Sequence, residues 1–135
     1  MCRPSRYAEE QRREPQLAKT FAFALAVAQA PRISAANYLE TAIVIDASRD
    51  PIASRHVDDL CTRATLVIEP VTADQAAIAR AAYRDFGKSS SHSAQLNFGD
   101  CFAYALAKSA DEPLLFKGEG FSRTDLTPAA PALPA

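Results

Sequence analysis

Apolar residues in this chain come in two patterns, and their alternation limits the folds open to it. Two short continuous runs, LVIE at 66–69 and PLLF at 113–116, read as buried strands, the first closed by Pro70. Elsewhere apolar residues recur at three- and four-residue spacing, the mark of helices with one buried face. Leu17, Phe21, Ala24, Leu25 and Ala28 follow Pro15, which suits a first helical turn, and predict a helix ending near Pro31. Arg32–Ser34 reads as a short extended segment. Ser34 then caps AANYLETAIVIDAS, which stops before Pro51, and Ile52, His56, Val57, Leu60 and Cys61 mark a third amphipathic segment. Thr72 caps ADQAAIARAAYRDFG with Gly87 as its stop, KSSSHSAQ is a polar loop, and Asn97 or Gly99 opens DCFAYALAKSA. Helices alternating with short apolar strands predict an α/β fold with a small parallel sheet.

With 135 residues, no repeat and no linker, the chain reads as one domain. Hydrophobic residues at 48% and charged residues at 23% are globular proportions, so wholesale disorder is excluded. A net charge of −1 argues against coating nucleic acid by bulk charge, although 11 of the 15 cations are Arg and local basic patches remain open. Three cysteines, Cys2, Cys61 and Cys101, without CxxC spacing fit a reducing compartment better than a disulfide framework. No run approaches the roughly 18 apolar residues of a membrane span. Glu9, Glu10 and Glu14 separate the N-terminal arginines from the first apolar stretch, against a secretory signal. The expected location is cytoplasmic.

Two carboxylates stand in apolar surroundings. Glu40 lies mid-helix between Leu39 and Ile43, where it either faces solvent or needs a partner. Asp100 begins a helix, where an acid acts as cap or dipole partner. Together they are also candidates for a Mg²⁺ ligand pair, since Mg²⁺ is commonly held by one or two carboxylates plus substrate phosphate, though composition alone does not select that reading. His56 and His92 have no second ligand at zinc spacing, and Cys101 reads as core. Ser89–Ser91 lack a phosphate-loop pattern. Arg80, Arg84 and Lys88 form a row open either to solvent or to RNA phosphates, and Tyr38, Tyr83 and Phe86 read as packing.

The strings ISAANYLETAIVID (33–46), TADQAAIARAAYRDFGK (72–88), LNFGDCFAYALAK (96–108) and PLLFKGEGFSRTDL (113–126) resemble the PIN-domain toxins of the VapC type. These are the ribonuclease halves of bacterial toxin–antitoxin pairs. The likeness runs in register from about residue 14 to residue 126, and GDCFAYALAK followed by PLLFKG is its most specific part. It implies a three-layer α/β/α sandwich about a central parallel sheet, with acidic residues at the strand ends holding Mg²⁺ or Mn²⁺. It further implies endonuclease action on RNA by a metal-activated water, an antitoxin laid across the cleft, and toxin homodimers. Glu40 and Asp100 fall on two of the family's acidic positions, as metal ligands and catalytic residues.

The sequence departs from the family at two points. Residues 1–13 show neither the usual first strand nor its terminal Asp, which counting back from Glu14-Pro15 places at about Pro4. Gly120 stands where relatives usually carry an acid before Phe, leaving Glu119 and Asp125 nearby. The expected layout is a divergent segment 1–13, a PIN-like domain 14–126 and a Pro/Ala-rich, loose tail 127–135; a frameshift or misassigned start would account for the first. The rival reading is a catalytically impaired relic that acts only by binding an antitoxin or another toxin subunit.

Overall fold

The computed structural model describes residues 30–116 and 119–129. The helix expected from Pro15 to Pro31 and the missing or altered first strand both fall before the described stretch. Strand β1 (Arg32–Ser34) leads directly into helix α1 (Ala35–Ala47), followed by α2 (Pro51–Arg63) and strand β2 (Val67–Glu69). Helices α3 (Ala73–Phe86) and α4 (Phe98–Ala110) come next, then a single 3-10 turn at Phe121–Arg123. β1 and β2 pair in parallel, with Arg32 opposite Val67, Ile33 opposite Ile68 and Ser34 opposite Glu69. The parallel sheet expected from the alternation is therefore present, as two strands among the described residues.

Local signals explain most of the boundaries. The Asp50 carboxylate accepts from the N–H groups of Ile52 and Ala53 at 3.0 and 3.3 Å, and Pro51 fills a first-turn position that needs no donor. The Thr72 hydroxyl accepts from Gln75 N–H at 3.1 Å and starts α3. Ser34 holds the N-cap position of α1, but its side chain makes no capping bond. Gly87 ends α3 as expected, though for a steric reason: its backbone is extended, at φ −75°, and a Cβ there would collide with the Tyr83 carbonyl oxygen.

The core lies between α3 and α4. Ala79 and Ala82 from α3 meet Cys101, Tyr104 and Ala105 from α4, with Ala94 and Leu96 from the connecting loop. Small side chains let the two helices approach closely, and Ile78, Phe86, Phe121 and Leu126 close the edges. Burying Leu96, only 1% exposed, contributes about 1.5–3 kcal/mol. Lys88 N–H donates to Leu96 O at 2.9 Å and Leu96 N–H to Phe86 O at 2.8 Å. These bonds bring the end of α3 beside the start of α4.

Three expectations change. PLLF is not a strand: Leu114 alone makes a bridge, to Pro128, and Leu114, Leu115 and Phe116 are only partly buried. An apolar run needs a neighbour to ladder with, and the segment opposite carries Pro128, which has no N–H to give. The start of the tail is correspondingly held, with Leu114 N–H donating to Thr127 O at 2.9 Å and Ala129 N–H to Leu114 O at 2.8 Å. β2 is also less enclosed than its composition suggested, with Val67 39% and Ile68 45% exposed.

Candidate active site

The N-terminus of α4 carries Asp100 and is reached by Glu40, the two carboxylates singled out from the sequence. Asn97 caps the helix: its Oδ1 accepts from Asp100 N–H at 2.8 Å, while Asp100 Oδ2 accepts from Asn97 N–H at 2.9 Å. This reciprocal box satisfies two orphan donors and fixes the Asp100 side chain. Asp100 is thus a cap, as the simpler reading held. Among the described residues nothing donates to its other oxygen, Oδ1.

Glu40 reaches the same place from α1. A Cβ on Gly99 would stand 2.8 Å from Glu40 Oε1 and 2.9 Å from Oε2. The Glu40 carboxylate therefore rests against the bare Cα of Gly99, the residue next to Asp100, and only glycine leaves it room. Glu40 remains exposed and Asp100 partly buried, so the pair faces solvent. The partial positive charge of the α4 N-terminus favours anionic groups here.

Asn37, one turn before Glu40 on the same face of α1, anchors the arrangement by donating from Nδ2 to Gly99 O at 2.9 Å. Its Oδ1 is buried with no hydrogen-bond partner among the described residues, as is Ser34 Oγ three residues earlier. Buried polar atoms are normally paired, and Asn37 Oδ1 stands beside the α4 N-terminus unpaired among the described residues. The sequence reading missed Asn37 and Gly99. The N-x-x-E spacing was visible, but a contact across 62 residues was not.

The other acids are engaged elsewhere. Asp125 accepts from Tyr104 Oη at 2.8 Å and pairs with Lys108 Nζ at 2.6 Å. The Lys108 bond, ahead of the Tyr104 bond, holds its carboxyl below the usual carboxylate range, and burial followed by Asp125 pushes the Tyr104 phenol up. Asp125 thus straps the segment after the 3-10 turn onto α4. Glu119 pairs with Arg123 at 2.9 Å, and Arg123 also donates to Ser93 O at 3.2 Å. Among the described residues no three His, Cys, Asp or Glu side chains gather closely enough to hold a metal by themselves.

The minor candidates settle plainly. His92 accepts from Ala94 N–H at 3.0 Å through Nδ1 and meets Phe86 edge-on at 4.9 Å, which organises the loop. His56 is exposed on α2. Cys101 is 4% exposed, and burial first, then Asp100, pushes its thiol up, away from nucleophilic use. Arg80, Arg84 and Lys88 are all exposed, with Arg84 3.6 Å from Asp85. Tyr83 is 39% exposed, and Phe86 packs against the core.

Residues 9–126 match the family model of the PIN domain, and the chain belongs to the PIN-domain family. Within it the chain is of the VapC type. It is 54% identical over 112 residues to Ribonuclease VapC28 of Mycobacterium tuberculosis, covering 83% of this chain and 84% of that protein. The same figures hold for VapC ribonuclease Mb0625 of Mycobacterium bovis. Ribonuclease VapC30 of Mycobacterium tuberculosis is 51% identical over 98 residues, 73% of this chain and 74% of the relative. Among the described residues no helix is long and apolar enough to cross a membrane.

Proposed function

We propose that this chain is the toxin of a type II toxin–antitoxin pair, an endoribonuclease that holds Mg²⁺, or Mn²⁺, through Glu40 and Asp100. The observation that carries the site is the Glu40 carboxylate lying against Gly99, one residue from Asp100. The donor set fits a hard cation: two carboxylates with an amide oxygen close by, Asn37 Oδ1, that is unpartnered among the described residues. A site this sparsely furnished leaves positions for water and a substrate phosphate, which is how Mg²⁺ is commonly bound. The ion supplies charge stabilisation for the phosphodiester transition state and a water acidic enough to attack near neutral pH.

The protein's own part is positioning. Asn97 fixes Asp100 through the capping box, and Asn37 fixes the α1–α4 junction that sets where Glu40 lies. The helix terminus adds a static field favouring the anionic phosphate. Names of ribonucleases on relatives at 54% and 51% identity support the enzyme reading over the binding-only alternative. For partners we take a cognate antitoxin, RNA and a second toxin subunit. Helix α1 supports an apolar protein partner, because none of its residues is buried and Leu39, Ile43 and Val44 are 57%, 56% and 67% exposed. The intended compartment is the cytoplasm.

The test is cleavage of total RNA by the purified chain with Mg²⁺ and with EDTA, beside Asp100→Asn. Metal-dependent cutting that falls at least about 100-fold in the variant is the expected result. Cutting that persists in EDTA, or is equal in both proteins, defeats the assignment.

A further inference from the structure

The loop between α3 and α4 is held by bonds it makes to itself, and one of them depends on a proton. Ser90 donates to Gly87 O from both N–H and Oγ, at 3.0 and 2.7 Å, and Ser90 Oγ accepts from His92 N–H at 3.2 Å. The Gln95 side-chain amide donates to His92 O at 2.7 Å and to Ser90 O at 3.3 Å. None of these groups titrates near neutrality. Ala94 N–H differs: it donates to His92 Nδ1 at 3.0 Å and has no other acceptor among the described residues. Ala94 is 5% exposed and belongs to the core, so its N–H relies on that ring nitrogen. Only a neutral imidazole has an acceptor nitrogen; an imidazolium donates from both, and its Nδ1–H would face the Ala94 N–H, donor to donor. The surroundings do not reward the charge. Phe86, edge-on to His92 at 4.9 Å, has no acceptor, and Tyr104 beyond it is bonded to Asp125, itself paired with Lys108. Arg123 of the 3-10 turn donates to the neighbouring Ser93 O at 3.2 Å, with Glu119 committed to it at 2.9 Å. On α3 Asp85 lies 3.6 Å from Arg84, and exposed Lys88 follows the helix.

We infer that His92 is a pH-sensitive latch: neutral, it orders the loop that presents Asn97 and Asp100, and protonated, it lets that loop loosen. This rests on the ribonuclease reading of Glu40 and Asp100 and adds a regulation of that site. Ala94 and Leu96 are the loop's two core residues, and Leu96 is clasped to Phe86 O and Lys88 N–H. Asn97 follows at once and forms the capping box with Asp100, so loosening at Ala94 reaches the cap within three residues. The sign follows from the acceptor: the bond exists only with the neutral ring, so loop order is complete on the alkaline side and lost as pH falls through the range where histidines charge, about pH 5 to 8. His92 is therefore a positioning residue, and the carboxylates carry the chemistry. Asparagine is its test substitute. The Asn Oδ1 occupies the place of Nδ1 relative to the backbone and accepts an N–H two residues on at every pH in this range.

The experiment reads hydrogen-exchange protection of the Ala94 amide by NMR from about pH 8 to about pH 5, corrected for the intrinsic exchange rate at each pH. In the unsubstituted chain protection is expected to fall about 5- to 150-fold, the factor equivalent to losing one buried bond. In His92→Asn it stays level, and in His92→Phe, which keeps a ring against Phe86 but no acceptor, it is low throughout. Protection that does not fall, or that falls equally in His92→Asn, overturns the latch. Initial rates of RNA cleavage at saturating Mg²⁺ over the same range test its reach into the site. The rate of the unsubstituted chain divided by that of His92→Asn is expected to be near unity at the alkaline end and to drop on acidification, effects common to both proteins cancelling. A ratio that stays level overturns the link between loop and site. If neither protein cuts RNA at any pH, the ribonuclease reading fails, while Ala94 protection still decides the latch.

Discussion

Gly99→Ala separates the stability of α4 from the placement of Glu40. The added Cβ would lie 2.8 and 2.9 Å from the two Glu40 oxygens, whereas ordinary contact begins at 3.4 Å, so the carboxylate has to retreat by about half an ångström. The retreat costs little, because the obstacle is the end of a flexible, exposed side chain. Against it stands the preference of a helix for alanine over glycine, about 0.5–1 kcal/mol. The melting temperature of Gly99→Ala is therefore expected to stay level or rise by a few degrees. Cleavage should nevertheless fall about 10- to 100-fold, since Mg²⁺ tolerates little departure from its geometry and misplacement on the ångström scale costs factors of this size. The assay pairs a thermal melt with the initial rate of RNA cleavage at saturating Mg²⁺. A variant that melts like the parent and cuts at the parental rate would show that Glu40 has no part in the reaction.

Three further substitutions probe the scaffold. Asp125→Asn keeps an acceptor for Tyr104 but removes the charge facing Lys108, and at neutral pH should cost about 0.2–1 kcal/mol, discounted for exposure. Because the Asp125 carboxyl titrates below its ordinary 3.8, that stability is present above this value and lost as pH falls through the lower native one; acid unfolding curves of parent and variant should converge there. Tyr104 has the opposite sign: its phenol is raised from 10.0, so stability holds below pH 10 and declines above it, and Tyr104→Phe should flatten that alkaline limb in pH-dependent melts. Thr72→Ala removes the α3 cap and should cost about 1 kcal/mol in urea unfolding with no change in Mg²⁺-dependent cleavage.

What was legible in the sequence was local. Thr72, Asn97 and Gly87 each set a helix boundary through bonds or contacts spanning a few residues, and such signals survive without knowledge of the rest of the chain. Residue type and position likewise singled out Glu40 and Asp100. PLLF failed for the converse reason: an apolar run states that it seeks burial, but whether it forms a ladder depends on the segment laid beside it, and here that segment carries Pro128. The fate of Asp125 was undecidable along the chain, since its partners Tyr104 and Lys108 lie 21 and 17 residues back on another element.

The sequence alone determined the alternating α/β character, most helix starts and stops, and which carboxylates stood in apolar company, because each follows from backbone bonds and side-chain periodicity within a few residues. Tertiary structure alone decided that Glu40 comes to rest on Gly99, that Asn37 ties α1 to α4, and that Phe98 stays exposed while Cys101 is closed in. Those outcomes depend on how helices remote in sequence dock. Docking is set by the summed packing of small residues such as Ala79, Ala82 and Ala105, which no one of them specifies by itself.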